Sequence, residues 1–307
     1  MSFLALVAAL LLEQWRPLAD QRYPSSLLER YTTFLERLFG DAESRQGILA
    51  WLAAVVPPLL GTWFVYAIAQ RAGSLFALAV NVAVLYLSMG FRRHGRYFSE
   101  IQAALKDNDI SKARDALSAW RRSDCGDLDR EAVARLAIEE ALVASHNNFF
   151  GIVFWFVLLP GPLGAVLYRF AMFLAHRWSG VPDREAGRLG SFAQRVLAAM
   201  DWLPARLTAA TFAVVGDFED AVYCWRAQAA SWVNPTHGVV LASGAGALGA
   251  KLGMPIRENG EVVERAELGL GDLVDEAHLE ITVGLIWRAL VAWLIVLLLI
   301  ALAGAVT

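Results

Sequence analysis

Polar side chains that could hold an anion lie beside long apolar stretches of this 307-residue chain. Asn147 directly precedes an apolar segment, and Asp201 and Arg206 flank a Trp-Leu-Pro sequence. Asn234 and His237 precede a glycine-rich stretch. Amide and guanidinium groups at the point where a helix enters a bilayer can bind phosphate or carboxylate. The four residues Asn147, Arg206, Asn234 and His237 are therefore candidate substrate-binding residues, and Asp201 is a candidate catalytic residue that could ligate a metal or an amine. The alternative role for all of them is helix capping and contact with lipid headgroups.

A glycine-rich motif, Gly244-x-Gly246-x-x-Gly249, matches the phosphate-binding pattern of dinucleotide folds. The alternation of strands and helices that such folds require does not surround the motif, and Gly253 and Pro255 follow within six residues. Small residues at this density also allow one helix to pack closely against another. We therefore expect these glycines to serve helix packing rather than nucleotide binding.

Other classes of site and partner are disfavoured by composition. The net charge of −3 lacks the basic excess of a nucleic-acid-binding protein, so we expect no nucleic-acid partner. The two cysteines, Cys125 and Cys224, lack a paired metal-binding spacing, and no histidine has a second histidine four residues later. The sequence therefore predicts no metal site of its own, and no cofactor is evident in it.

The apolar residues, 57% of the chain, are concentrated in uncharged runs. A membrane-spanning helix needs about 20 such residues because the hydrocarbon core offers polar groups no partner. Residues 48–69, 73–90 and 289–306 predict three spans. Residues 2–12 predict a short or tilted helix, and residues 149–175, which contain a Pro-Gly-Pro sequence, predict one kinked span or a short re-entrant pair.

The distribution of basic residues predicts the orientation of these spans. Segment 13–47 carries five arginines and segment 91–148 carries ten lysines or arginines, whereas the 70–74 turn holds only Arg71. Positively charged loops stay on the cytoplasmic side of a membrane. We therefore expect a multi-pass membrane protein, with 13–47 and 91–148 in the cytoplasm.

The segments between the spans carry signals for further helices and one hairpin. Asp109 or Ser111 is the predicted cap of one helix and Asp127 the predicted cap of the next, and Pro204 is the predicted first residue of another helix. Asn259-Gly260 predicts a type I′ turn. The predicted fold is an all-α, polytopic helical membrane protein with a cytoplasmic helical layer and one small β-hairpin. We expect a single domain over 1–307, with a cytoplasmic helical segment at 91–148 and a mixed helical and hairpin segment at 176–284.

The order of these motifs resembles the CobD/CbiB family, the membrane-bound adenosylcobinamide-phosphate synthases of cobalamin biosynthesis, and their relative AmpE. Met200 to Leu207 and Val215-Gly216-Asp217 are most similar to the AmpE branch, whereas the hairpin is more similar to the synthase branch. The stretches that carry the resemblance are, in chain order, Asn147 to Gly151, Tyr168-Arg169, Leu203-Pro-Ala-Arg206-Leu, Asn234-Pro235, Gly246-Ala-Leu-Gly249, Gly260-Glu261, Gly271-Asp272 and Leu285-Ile-Trp287.

The resemblance implies amide-forming chemistry, in which aminopropanol phosphate is joined to a propionate side chain of adenosylcobyric acid with ATP and Mg²⁺. It implies that Asn147, Arg206 and Asn234 bind substrate and that Asp201 ligates a metal or an amine. The implied partners are the lipid bilayer and a corrinoid or other small-molecule ligand, and a homo-oligomer is left open.

This chain departs from the synthase pattern at two places. An acidic E-N-T-V-D-G type motif is replaced by the six residues from His146 to Gly151, and an N-T-L-D pattern is replaced by Met172 to Ala175. Two hypotheses follow. The first is a divergent synthase-like enzyme, the only case in which ATP and Mg²⁺ are needed, although the missing acids argue against full catalytic competence. The alternative is a non-catalytic, AmpE-like membrane signalling modulator linked to cell-wall turnover and β-lactamase induction.

Overall fold

A computed structural model describes residues 2–15, 30–36, 44–179, 186–258 and 261–306. Helices dominate, as predicted, and the strands are short. The helices are α1 (Ser2–Trp15), α2 (Ser44–Ala72), α3 (Ser74–Ser88), α4 (Phe91–Lys106), α5 (Ile110–Arg121), α6 (Arg130–Ser145), α7 (Gly151–Leu158), α8 (Leu163–Ser179), α9 (Ala186–Val215), α10 (Phe218–Gln228), α11 (Pro235–Leu248) and α12 (Glu276–Val306), with a π-helical turn at His146–Phe150 and a 3₁₀ turn at Ala229–Ser231. The strands are β1 (Ala250–Lys251), β2 (Ile256–Glu258), β3 (Glu261–Val263) and β4 (Asp272–Leu273).

Within the described residues, four helical stretches are long and apolar enough to cross a membrane. Three of them overlap the spans predicted from uncharged runs, and α1 is a shorter apolar helix. The third stretch differs from the others because 61% of its apolar window is buried inside the protein, so most of its side chains contact protein rather than lipid. The four stretches are Gly47–Ala72, Ser74–Lys106, Arg130–Leu158 and Glu276–Ala303. The helical membrane class is therefore confirmed, whereas the orientation stays a prediction.

The chain divides into two compact units. Unit 1 comprises Met1–Gly90 and Gly151–Trp202, and unit 2 comprises Phe91–Phe150 and Leu203–Thr307. Each unit combines two separate parts of the sequence, so each depends on contacts between residues that are far apart along the chain.

In unit 1, the segment predicted at 149–175 is two helices rather than one kinked helix. The chain reverses between α7 and α8, and the two helices pack against each other. A Cβ at Gly164 would overlap the carbonyl oxygen of Trp155, and a Cβ at Gly151 would overlap the Tyr168 hydroxyl. Glycine permits such close approach because it has no side chain. Because α7 is also the end of the continuous helical stretch Arg130–Leu158, the segment matches neither one kinked span nor a separate short pair, and its path through the bilayer stays a prediction.

The apolar core of unit 1 lies between α2, α8 and α9. Val55 of α2, Leu174 and Trp178 of α8 and Ala193 of α9 are buried in one cluster. Large and small apolar side chains interdigitate there, as in other close-packed helix interfaces.

In unit 2, the glycine-rich motif lies within α11 and at its C-terminal end. A Cβ at Gly246 would overlap the backbone of Asp220 and Ala221 in α10, and Gly249 ends the helix in the left-handed conformation. No strand precedes the motif among the described residues of 186–249. The predicted packing role of these small residues is therefore confirmed.

Two of the local predictions for unit 2 are wrong and one is confirmed. Asp109 caps α5, and its carboxylate accepts the N–H of Lys112 at 3.0 Å. The cap of α6 is Asp129 rather than Asp127, because the Asp129 carboxylate accepts the N–H of Ala132 at 2.7 Å and the helix begins one residue later. Pro204 lies inside α9 rather than at a helix start. Helices with protein neighbours tolerate an internal proline because the freed backbone groups find other partners.

The predicted β-hairpin is present. Strands β2 and β3 are antiparallel, with Glu258 paired to Glu261, and this register leaves two residues for the turn. The Asn259-Gly260 turn itself lies outside the described residues. A second, parallel pair between β1 and β4 was not predicted.

The close approach at Gly246 generates a matched pair of substitutions. Gly246→Ala should lower the thermal midpoint in detergent, because the added Cβ forces α10 and α11 apart at a cost of about 1–3 kcal/mol. Gly284→Ala adds a Cβ in α12 where no atom lies within 4 Å, so it should be neutral or stabilise by about 0.5–1 kcal/mol. Equal midpoints for the two variants would contradict the packing role.

Candidate functional site

Three groups of buried polar side chains lie in the described residues, each within one unit. One is the pair of His146 and Thr208 in unit 2, and another is the pair of Tyr168 and Asp201 in unit 1. The third, in unit 2, is named here the Glu139 cluster and is defined below by its residues.

The His146 pair is built on the π-helical turn His146–Phe150, which separates α6 from α7. His146 is fully buried, and its Nδ1 lies 3.0 Å from the Thr208 Oγ1. The Thr208 hydroxyl donates to the carbonyl of Pro204 at 3.0 Å, so its oxygen accepts and the proton of His146 is assigned to Nδ1. π turns inside helices frequently occur at functional sites because they redirect side chains.

The same contact brings together two segments that carry predicted site residues. Asn147 is half-buried on the π turn, and Arg206 is half-buried on α9, two residues before Thr208. Both therefore lie within one helical turn of the contact between His146 and Thr208.

Phe150 at the end of the π turn is a packing residue. It is fully buried, its ring meets Phe212 edge-on at 6.0 Å between centroids, and it lies 5.3 Å from the Trp293 ring. Edge-to-face aromatic pairs of this kind stabilise a core. The position where the resemblance led us to expect an acid thus contributes to the apolar core of unit 2.

The structure gives Asn234 the alternative role of helix cap. Its side-chain oxygen accepts the backbone N–H groups of Thr236 at 3.0 Å and His237 at 3.2 Å, at the start of α11. Asn234 itself is exposed, and His237 is half-buried in the first turn. Capping of α11 alone accounts for the hydrogen bonds that the Asn234 carboxamide oxygen accepts.

Asp201 belongs to unit 1 and is held by a tyrosine. The Tyr168 hydroxyl donates to Asp201 Oδ1 at 2.7 Å, and both side chains are buried. Because Gly151 lies against the Tyr168 hydroxyl, the glycine leaves room for the ring that orients the carboxylate. Buried carboxylates oriented in this way are common in functional sites, so the catalytic role predicted for Asp201 stays open.

The Glu139 cluster joins α6 to the loops on either side of the hairpin. We define it as Glu139, Arg135, Arg265 and Trp232. The Glu139 carboxylate accepts the N–H of Gly253 at 2.9 Å through one oxygen and pairs with Arg265 through the other. The Arg265 guanidinium also lies over the Trp232 ring, 4.9 Å from its centroid. Planar guanidinium groups favour both contacts, which together fix the orientation of Arg265.

Arg135 lies one turn before Glu139 on α6 and is fixed by the loop. Its Nη1 bonds Glu131 at 3.1 Å and the Met254 sulfur at 3.7 Å, and its Nη2 donates to the Pro255 carbonyl at 3.4 Å. Met254 has a positive φ of 63°, which is uncommon for a residue with a side chain. The loop is therefore held in a sparsely populated conformation by contacts to the charged face of α6.

Sequence reasoning missed the Glu139 cluster. Arg135 and Glu139 are four residues apart on α6 and so lie on one face of the helix, which is a local signal that this face carries charged groups. Arg265 is 126 residues further on, and no local pattern links it to Glu139.

The buried thiol of Cys224 is not a candidate nucleophile. Burial, followed by the nearby Asp220 carboxylate, raises the pKa of Cys224 to about 11. The reactive thiolate is therefore scarce at neutral pH.

Comparison with known proteins shows similarity over nearly the whole chain. A family model described as CobD/Cbib protein matches residues 4–304. The Cobalamin biosynthesis protein CobD of Stutzerimonas stutzeri is 35% identical over 300 residues, covering 96% of this chain and 97% of that protein. The protein of the same name from Chromobacterium violaceum is 36% identical over 241 residues, 78% of this chain and 77% of that one. The Cobalamin biosynthesis protein CbiB of Salmonella typhi is 27% identical over 284 residues, 87% of each chain. No solved structure matches significantly.

The pair of Tyr168 and Asp201 can be tested by a double-mutant cycle. Tyr168→Phe removes a donor from a buried carboxylate and should destabilise the protein by about 1–3 kcal/mol. In the Asp201→Asn background the same change should cost less, because a neutral amide loses less when a hydrogen bond to it is removed. The measurement is the free energy of unfolding in detergent; strictly additive effects would show that the two side chains are not coupled.

Proposed function

The chain belongs to the CobD/CbiB family, and on that premise we propose that it acts in cobalamin biosynthesis as a synthase-like protein. The proposed reaction joins aminopropanol phosphate to a propionate side chain of adenosylcobyric acid. The observation that carries the proposal is the family match over residues 4–304, together with a 35% identical relative covered over 97% of its length. Because the similarity covers both units, the proposal concerns the whole chain.

The proposed chemistry requires a site that binds two anions. An amide bond forms between the amine nitrogen and the carboxyl carbon, and the elements of water are lost. ATP would be the co-reactant that takes up these elements when it is cleaved to ADP and phosphate. One reactant carries a phosphate and the other a carboxylate, and arginine matches both groups by paired hydrogen bonds. We assign Arg206 to the phosphate and Asn147 to a polar group beside it, because the contact between His146 and Thr208 brings their segments together. Asn234 and His237 are proposed as further substrate contacts.

Asp201 is the proposed acid-base or ligand residue. Its buried carboxylate, oriented by the Tyr168 hydroxyl, could accept a proton or ligate an amine or a metal. The assignment concerns unit 1 alone.

A prebuilt magnesium site is absent from the described residues. No group of three or more His, Cys, Asp or Glu side chains converges in those ranges. Both oxygens of Glu139 are already engaged, one by Gly253 and the other by Arg265. The described residues therefore offer no preformed cage of three or more such ligands, and no step is derived through a metal.

A specific observation favours the alternative function, a non-catalytic, AmpE-like membrane signalling modulator linked to cell-wall turnover and β-lactamase induction. His146 and Phe150 occupy positions where the resemblance led us to expect acids; His146 is buried against Thr208, and Phe150 is buried in an aromatic core. A segment that has become part of the core has less freedom to perform chemistry. The two functions are separated by whether amide formation occurs.

We also propose an inner-membrane location with segments 13–47 and 91–148 in the cytoplasm. The four candidate spans support a membrane protein, but two of them, Ser74–Lys106 and Arg130–Leu158, extend into 91–148. The cytoplasmic location proposed for this segment therefore rests on its basic residues alone.

Genetic complementation tests the enzymatic proposal. The chain should restore cobalamin-dependent growth, without added cobinamide, to a strain that lacks its own cobinamide-phosphate synthase. Lack of growth by a well-expressed, membrane-inserted protein would contradict the proposal. The same strains assayed for β-lactamase induction would then test the alternative.

Arg206→Ala in the same strain tests the assignment of the phosphate contact. It should abolish growth, because an alanine removes both the charge and the paired donors. Arg226→Ala changes an exposed arginine of α10 and serves as the matched control, with growth expected to be unaffected. Full growth of the Arg206→Ala strain would contradict the assignment and indicate that Arg206 contacts lipid headgroups or packs against other side chains.

A further inference from the structure

The first two turns of α4 combine basic and aromatic side chains next to an uncharged stretch of the chain. The ten residues from Phe91 to Glu100 include three arginines, and Glu100 is the one acid among them. Arg93 and Arg96 are exposed, and Tyr97 is half-buried. Arg96 and Tyr97 follow Arg93 by three and four residues, so all three lie on one face of the helix. This face therefore carries two guanidinium groups and a phenol within about one helical turn.

A tryptophan of α5 fixes the aromatic part of this face. The indole Nε1 of Trp120 donates to Nδ1 of His94 at 2.9 Å. The Trp120 ring lies nearly parallel to the Tyr97 ring, with 6.1 Å between centroids, and meets the buried Phe98 ring edge-on at 6.5 Å. The guanidinium carbon of Arg96 lies 5.8 Å from the centroid of the Tyr97 ring. The rings and this basic side chain therefore form one connected surface, all of it within unit 2.

The place of this surface in the chain is the edge of a candidate span. The stretch Ser74–Lys106 has 33 residues, whereas about 20 are enough to cross the hydrocarbon core. Its uncharged part ends at Gly90, and the arginines begin at Arg92. Charged side chains are costly in hydrocarbon, whereas Trp and Tyr are enriched at the level of the lipid headgroups. The first turns of α4 therefore belong in the headgroup region.

The other end of α4 is engaged by protein instead. Lys106 pairs with Glu280 of α12 at 2.6 Å, and Ile101 and Leu105 are fully buried. A contact with lipid headgroups is therefore expected at the start of the helix and not along its whole length.

We propose that Arg93, Arg96, Tyr97 and Trp120, named here the α4 surface, bind the headgroup of an anionic phospholipid. Arginine matches the phosphodiester by paired hydrogen bonds, and three arginines against one acid in this segment favour a lipid with a net negative charge. The two aromatic rings suit the same depth in the membrane, because each combines an apolar body with a polar tip. A lipid is favoured over a soluble anion because both arginines are exposed and the surface adjoins a span. The proposal is independent of the proposed enzymatic function.

The test is native mass spectrometry of the full chain released from lipid nanodiscs that contain equal amounts of phosphatidylglycerol and phosphatidylcholine. Both lipids carry a phosphodiester, but only phosphatidylglycerol has a net charge. The parent protein should retain phosphatidylglycerol about tenfold more often than phosphatidylcholine, because each arginine near the surface adds to the attraction for an anionic lipid. This measurement needs no variant.

Charge-matched variants locate the binding. Arg93→Gln combined with Arg96→Gln removes both guanidinium groups of the α4 surface and should abolish most of the preference for phosphatidylglycerol. Arg226→Gln combined with Arg257→Gln removes the same charge from two exposed arginines, one in α10 and one in β2. This second pair is the matched control and should retain the preference of the parent protein.

Each outcome decides the proposal. A preference that is lost in the Arg93 and Arg96 pair and kept in the control supports it, and if the double variant does not insert, the single substitutions Arg93→Gln and Arg96→Gln carry the comparison. Equal retention of the two lipids by the parent, or an unchanged preference in the Arg93 and Arg96 pair, would overturn it. A control that loses the preference as fully would also overturn it, because the attraction would then depend on net charge alone. Displacement of phosphatidylglycerol by inorganic phosphate at constant ionic strength would overturn the lipid as occupant in favour of a soluble anion.

Discussion

The arrangement of unit 2 depends on the buried carboxylate of Glu139. Through Gly253 and Arg265 it connects α6 to the loops before and after the hairpin. A buried charge that loses its partner destabilises a protein by about 3–5 kcal/mol, so helix and loops must keep this register. The left-handed backbone at Gly253 and the close approach of its Cα to the Ala266 carbonyl show how tightly the loop is drawn onto the cluster. Specificity of the loop conformation, more than net stability, is what such an ion pair provides.

A second constraint is the close packing of helices through small residues. Where a glycine leaves no side chain between two helices, their backbones approach closely and gain van der Waals contact. Gly246 against α10 in unit 2 and Gly164 against α7 in unit 1 are instances of this contact. At Gly151 the absence of a side chain leaves space for the Tyr168 ring, whose hydroxyl donates a hydrogen bond to Asp201.

Those features of the fold that depend on residues close together in the sequence could be predicted from the sequence. Uncharged runs indicated three of the four candidate spans, Asp109 was one of the two candidate caps of α5, and the hairpin register followed from its two-residue turn. Asp127 was predicted as the cap of α6, but the helix begins later, at Arg130, and Asp129 caps it. The partners of His146 and Glu139 lie 62 and 126 residues away, and no local spacing encodes such contacts. The roles of Asn147, Arg206, Asn234, His237 and Asp201 stay predictions, with Asn234 explained most directly as a cap.

Family membership favours synthase activity, whereas the lack of the acidic residues that the resemblance led us to expect argues against it. Whether the protein forms the amide bond distinguishes the two functions. The direct measurement is incubation of the purified chain in nanodiscs with adenosylcobyric acid, aminopropanol phosphate, ATP and Mg²⁺, with mass spectrometry of the corrinoid and empty nanodiscs as the control. The synthase account predicts a product that carries the added aminopropanol phosphate and that requires both this substrate and ATP. Unchanged adenosylcobyric acid in the presence of folded protein would contradict it.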